Sequence, residues 1–218
     1  MTICDNSSKT LTDYPRPSVA VDTAVLTVRG DQLSVLVVAH DKAPGFEWAL
    51  PGTFLHEGER LADAVLRSLR DKAGITGRTP QQLYVFDDPA RDPRGWVLSV
   101  AHVDMVPLKE LERALENDGV KLLSVSDGVP GLPYDHTAIV ERAMQWMRDQ
   151  YEDQPDPGLL LEEPFTLRDL RMLHDAVKGE ARQRDTFRRL MVASGEIMET
   201  GEMTGGGRGR PSRLWVRR

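Results

Sequence analysis

Apolar positions along the chain follow two periods. From Ser18 to Arg29 the run Ser-Val-Ala-Val-Asp-Thr-Ala-Val-Leu-Thr-Val-Arg is β-branched and almost continuous, which predicts a buried strand. Gly30-Asp31-Gln32 breaks it as a turn, and Leu33 to Ala39 returns as the partner strand of a hairpin. His40 to Glu47 is a loop with Pro44-Gly45, and Trp48-Ala49-Leu50 leads out of it. After Glu59 the period becomes helical. Leu61, Ala64, Val65, Leu69 and Ala73 share one side with charges opposite, and Gly74 stands where a C-cap glycine belongs. Leu83 to Phe86 and Trp96 to Val106 read as strands on either side of a polar loop. Lys109 to Asn117 reads as a short helix or turn and Leu122 to Ser126 as a strand. Thr137 to Tyr151 reads as a helix with Asp135 placed as its N-cap.

Glu152 to Pro164 holds three prolines, a glycine and several acids, and reads as a domain boundary. Beyond it Thr166 caps a helix through Val177 that Gly179 ends. A second helix starts at Gln183 or Asp185, runs through Phe187, Leu190, Met191 and Val192, and stops near Gly195. Ile197 to Thr200 and Arg213 to Val216 flank a Gly-rich tip, Gly201 to Pro211. Helix, turn, helix and β-hairpin is the order of a winged helix-turn-helix.

The 218 residues suffice for one large or two small domains, and 40% hydrophobic content supports a globular core. No apolar run approaches the ~20 residues that span a bilayer, so no membrane partner is expected. Met1 to Pro17 is polar, has no apolar signal core and reads as a flexible arm. The one cysteine, Cys4, lies in that arm. No internal disulfide can form, and the cytoplasm is the simplest location. No His/Cys cluster has zinc spacing, so neither a structural metal nor a cofactor is expected.

Charge changes the picture more. From Thr166 onward the chain holds 12 Lys and Arg against 7 Asp and Glu, a net +5. The rest carries 16 against 27, a net −11. An acidic body with a basic end suggests that the end meets a polyanion, although chance also gives imbalances of this size. Arg182, Arg184, Arg188 and Arg189, with Gln183 and Thr186, would supply base-edge and phosphate contacts from the second helix. Thr166, Arg168, Arg213 and the wing-tip residues Arg208 and Arg210 complete the expected DNA face. A solvated face of a small interaction domain would look similar.

Chemistry concentrates between Leu50 and Ile75, where a Gly-containing turn runs into the amphipathic helix. This stretch resembles the Nudix box, a loop-helix-loop that holds divalent metals against a pyrophosphate. Glu59, Arg67 and Gly74 stand at the family's spacings, but Thr53 replaces its first glycine. The clustered glutamates fall on Ser68, Asp71 and Lys72. Positions 68, 71 and 72 share one helix face. Three carboxylates there would suit Mg²⁺, whereas a hydroxyl, a carboxylate and an ammonium do not. Metal-assisted hydrolysis needs that cation, so no catalytic residue is expected: the pocket is kept and the catalyst lost. The helix spacing alone also fits a plain amphipathic surface helix.

Four further segments sharpen the resemblance: Arg91-Asp92-Pro93-Arg94, Asp135-His136, Asp185-Thr186-Phe187-Arg188-Arg189 and Gly209-Arg210-Pro211-Ser212-Arg213-Leu214. Together they resemble NrtR, a family of Nudix-related transcriptional regulators. The resemblance implies an α+β protein: a Nudix-like α/β/α sandwich at 18–152, a linker at 153–164 and a winged helix-turn-helix at 165–218. It further implies a homodimer on a palindromic operator, repression of NAD biosynthesis or salvage genes, and release by ADP-ribose or a related nucleotide. Phe54, Phe86, Arg91, Arg94, Asp135 and His136 are the expected ligand contacts, with Arg91 or Arg94 forking onto a pyrophosphate. The Arg/Pro loop also reads as a solvated hairpin tip, and His136 as a packed residue. Two other functions remain open: an ADP-ribose pyrophosphatase with slack metal binding through Glu59 and Asp71, or a family repressor that senses a phosphorylated sugar.

Overall fold

The computed structural model describes residues 10–205 and 211–218. Strand β1 (Ser18–Arg29) lies inside the main sheet and is buried from Ala20 through Thr27, as its almost continuous apolar run requires. The hairpin strand β2 (Gln32–Ala39) pairs with it antiparallel, and β6 (Val97–Met105) pairs with it parallel on the other side. Sheet order is β3 (Trp48–Ala49), β2, β1, β6, β5 (Gln81–Phe86). β4 (Gly52–Phe54) joins β1, and β7 (Val120–Ser124) joins β2. Alternate side chains go to opposite faces. Val21, Val25, Leu36 and Val38 pack with Ala64, Val65, Leu69 and Ala73 of α1 (Leu61–Ala73) and with Leu111 of α2 (Leu108–Leu115). On the other face Ala24, Leu26, Val35 and Val37 pack with Ile139, Val140, Ala143 and Met147 of α3 (His136–Gln150). The result is the expected α/β/α sandwich.

The second unit has its own small core of Phe165, Leu170, Phe187, Met191, Ile197 and Trp215. Its helices are α4 (Leu167–Lys178) and α5 (Arg184–Ala193). Its three-stranded sheet runs β8 (Phe165–Thr166), β10 (Arg213–Arg217), β9 (Ile197–Met203). α4 has a second allegiance, because Leu173 and Val177 pack into the α3 core. The proline-rich segment between the units is packed chain. Asp156 is buried there and accepts from Tyr151 Oη at 2.7 Å, from the backbone N–H groups of Leu160 and Leu161 at 3.0 Å, and from the Arg217 guanidinium.

Several expectations need correction. Asp135 occupies the N-cap position of α3, but its carboxylate makes no cap hydrogen bond because Arg91 holds both its oxygens. Arg182 precedes α5 rather than riding on it. Its N–H donates to Asp175, its guanidinium lies 3.8 Å from Glu152, and Gln183 caps the helix. The strand expected at Leu122–Ser126 begins two residues earlier, at Val120. Residues 1–9, with Cys4 and most of the expected arm, lie outside the described residues, as do Arg208 and Arg210. Leu11–Asp13 form one turn of 3-10 helix. Among the described residues no helix is long and apolar enough to cross a membrane.

Candidate functional site

Two adjoining pockets open beside the first turn of α3. The larger, about 470 Å³, is lined by residues including Asp22, His40, Lys42, Phe54, Lys72, Arg94, Tyr134 and His136. The smaller, about 400 Å³, is lined by residues including Tyr84, Phe86, Asp87, Asp88 and Asp135. Arg91 and Tyr134 belong to both. All six expected ligand contacts therefore face one composite cleft.

Asp22 sits at its floor. The parallel pairing of β1 with β6 brings it beside Ser99, whose hydroxyl donates to Asp22 Oδ2 at 2.6 Å. His136 Nε2 lies 3.3 Å from Oδ1 and Arg91 Nη2 lies 3.6 Å from Oδ2. Burial alone would raise this carboxyl, but His136, Ser99 and Arg91 outweigh it and hold it at about 2. The backbone N–H of Leu50 donates to His136 Nδ1 at 3.1 Å, which leaves Nε2 as the imidazole's donor toward Asp22. Gly52 is required here: a Cβ at that position would stand 1.9 Å from Asp22 Oδ1.

The two arginines of the loop differ. Arg91, with a side chain 3% exposed, forks onto Asp135 at 2.6 and 2.5 Å. Its Nε and Nη2 are committed to Asp135, so it braces the cleft wall. Arg94 is 45% exposed and is aimed by Asp92, which takes Nε at 2.9 Å and Nη2 at 2.6 Å. Its guanidinium lies 5.5 Å from the Phe54 ring centre and 5.0 Å from that of Tyr134. Tyr134 holds φ at 57°, a costly setting for a bulky residue. Its hydroxyl has no hydrogen-bond partner among the described residues, and neither does His40 Nε2.

The loop–helix frame is held by Arg67. It donates to Glu59 at 2.7 and 2.8 Å, to the Phe54 carbonyl at 2.9 Å and to Thr53 Oγ1 at 3.2 Å. Arg67 holds the Glu59 carboxyl down at about 2. Thr53 pairs with Val21 in β4, at an ordinary strand position where a side chain fits. On α1, Ser68 is buried with its hydroxyl unpartnered, and Asp71 is exposed and takes Arg70 at 2.8 Å. Lys72 lines the cleft. Partial burial pushes its ammonium pKa down, Asp22 opposes this and Lys42 adds to it. Among the described residues no group of three or more His, Cys, Asp or Glu could hold a metal ion.

At the far end, α5 exposes Arg184, Thr186, Arg188 and Arg189, and the three arginines have no ion-pair partner among the described residues. Arg168 is likewise exposed. Arg213 is tied to Glu199 across the wing at 2.6 Å, and Thr166 spends its hydroxyl on a capping box with Asp169. Sequence reasoning missed Asp22, Lys42, His40 and Tyr134. For Asp22 a signal existed: it is the lone carboxylate inside a buried-strand pattern.

A Nudix-type sandwich whose cleft helix runs to a winged helix defines the class. The NUDIX domain family matches residues 17–147, and the NrtR DNA-binding winged helix domain matches residues 157–216. The chain therefore belongs to the NrtR family of Nudix-related regulators. It is 27% identical over 208 residues to the ADPR responsive transcriptional repressor NtrR of Acinetobacter baylyi, covering 93% of this chain and 83% of that protein. Shewanella oneidensis NrtR, crystallised with a 27mer DNA, is 29% identical with a TM-score of 0.78, over 92% of this chain and 93% of that one. An ADP-ribose pyrophosphatase of Methanocaldococcus jannaschii is 29% identical over 133 residues, covering 61% of this chain and 76% of that protein.

Proposed function

We propose that this protein is an ADP-ribose-responsive transcriptional repressor of NAD biosynthesis or salvage genes, acting in the cytoplasm as a homodimer on a palindromic operator. One observation carries the reading: a single helix joins the cleft to the winged helix. α3 begins with His136 in the cleft and ends against Tyr151, whose ring meets His174 of α4 at 5.1 Å. His174 in turn meets Phe187 of α5 at 4.9 Å. Fifteen helical residues span about 22 Å, so occupancy of the cleft and the setting of α5 belong to one packed column.

Arg94, Phe54 and Tyr134 are the ligand's phosphate and ring contacts in this reading, and Phe86 lines the neighbouring base or ribose pocket. Arg91, Asp135 and His136 hold the wall. Arg184, Arg188 and Arg189, with Thr186, enter the major groove, and two subunits read half-sites one helical turn apart. The named relatives from A. baylyi and S. oneidensis support both halves. Ligand weakens DNA binding only if it favours an arrangement in which the two α5 helices are mis-spaced.

The donors at positions 68, 71 and 72 do not fit a divalent cation: one is a buried hydroxyl, one is turned to Arg70 and one is an ammonium. Hydrolysis is therefore not part of the reading. The likeness to an ADP-ribose pyrophosphatase, with the Glu59–Arg67 frame intact, favours a weak hydrolase as the second reading.

A gel-shift titration decides between them, using DNA upstream of this gene and of neighbouring NAD genes at fixed salt, with and without ADP-ribose. Specific binding relieved by ADP-ribose is expected. No specific binding, together with ADP-ribose consumed in Mg²⁺, would hand the protein to the hydrolase reading.

A further inference from the structure

The pole of the cleft away from Asp135 carries groups that the reading above does not use. Lys42 and Lys72 both line it, and neither makes an ion pair among the described residues. They are near enough for Lys42 to act on the Lys72 ammonium, and both act on His40. Two cations that share a pole repel each other, and an anion seated between them turns that repulsion into attraction. Two hydrogen-bonding atoms are unpartnered beside it among the described residues: Nε2 of His40, in the same pole, and Oη of Tyr134, which lines both pockets, their rings 5.9 Å apart. Unpartnered polar atoms of this kind are costly unless a ligand or water answers them.

Lys72 also stands where a Nudix enzyme places a metal-binding carboxylate, one helix turn from the buried Ser68. A fixed ammonium there excludes a divalent cation and offers the ligand's phosphates the positive charge that cation would have given.

We propose that Lys42 and Lys72, with Arg94 at the mouth, form a metal-independent seat for the pyrophosphate of the effector. The inference rests on the reading of the cleft as an ADP-ribose site and deepens it. Arg94 forks onto one phosphate from the aromatic side, and the two lysines take the other as point charges. His40 and Tyr134 supply the neutral hydrogen bonds.

The test is calorimetric titration of ADP-ribose into the full chain in EDTA and again in MgCl₂. Wild type binds equally well in both, to within about twofold. Lys72→Ala and Lys42→Ala each weaken binding roughly tenfold or more, since each removes a charge-assisted hydrogen bond, and Lys72→Arg restores most of it. Lys42 and Lys72 are exposed as whole residues, and the partly buried Lys72 ammonium lines the cleft rather than the core, so these variants keep the fold, checked by an unchanged Tm. Binding that needs Mg²⁺, or that ignores both alanine variants, overturns the seat. Should wild type not bind ADP-ribose, the effector reading fails and inorganic pyrophosphate becomes the probe. Metal-free binding of pyrophosphate that is lost in Lys72→Ala upholds the seat, and its absence overturns it.

Discussion

Asp22 is a buried carboxylate inside an apolar strand, and the cleft is built on the groups that satisfy it. Asp22→Asn would leave Arg91 and His136 facing a neutral amide. Loss of a buried charge partner costs roughly 3 kcal/mol, so urea unfolding is expected to show a clear drop in stability at pH 7. A loss under about 0.5 kcal/mol would mean the network is not stabilising. The carboxyl's folded pKa, about 2, lies below its ordinary value, so its stabilisation is present above that value and is lost as pH falls through 2. Across neutral pH this floor keeps one charge. Gly52→Ala forces a Cβ onto Asp22, and both stability and ADP-ribose affinity should fall; unchanged affinity would detach Asp22 from the site. Little of this was legible in sequence. β1 is covered on both faces, so alternation could not say which way Asp22 points. Arg91 and Arg94 read alike as phosphate forks, because the partner that sets Arg91 apart, Asp135, lies 44 residues away.

Among elements, the periods did most of the work. β1, β2, α1, α3 and α4 follow their apolar patterns, and Gly74 and Gly179 end α1 and α4 in the left-handed conformation. The joint was not legible, because its contacts link residues on different elements that no local period relates. Pro155, Tyr151, His174 and Phe187 meet only once α4 is laid against α3. His174 shows the cost of that packing. Burial pushes its pKa down to about 4, against the opposing pull of the Pro155 carbonyl 2.6 Å from Nε2, so the folded protein holds it neutral. The unfolded chain binds the extra proton first. Stability is therefore full above about pH 6.5 and falls by roughly 3 kcal/mol as pH drops from there to 4. Urea midpoints at pH 7.5 and pH 5 should differ accordingly, and His174→Phe should flatten the difference. An unflattened profile would place the acid sensitivity elsewhere. On α5, the double variant Arg188→Ala with Arg189→Ala should weaken operator binding and lower the salt slope by about 2 per subunit, about 4 for the dimer, with the fold intact. Undiminished binding would move the contact surface off this helix.

Taken whole, the molecule is an acidic Nudix-type unit joined to a basic winged helix, −11 against +5. The charge split was visible in the sequence, and so was the order of the two units. Their attachment was not, since a segment rich in proline and acids reads as a spacer until Asp156 is seen drawing in Tyr151 and Arg217. That attachment makes the account thermodynamic: if ADP-ribose weakens DNA binding by some factor, DNA must weaken ADP-ribose binding by the same factor. The most direct measurement is therefore the calorimetric Kd for ADP-ribose on the free protein and on protein saturated with operator, at one stated salt concentration. The account predicts weaker binding to the operator complex, by the same factor that ADP-ribose takes from operator affinity. Equal affinity for free and DNA-bound protein would contradict it.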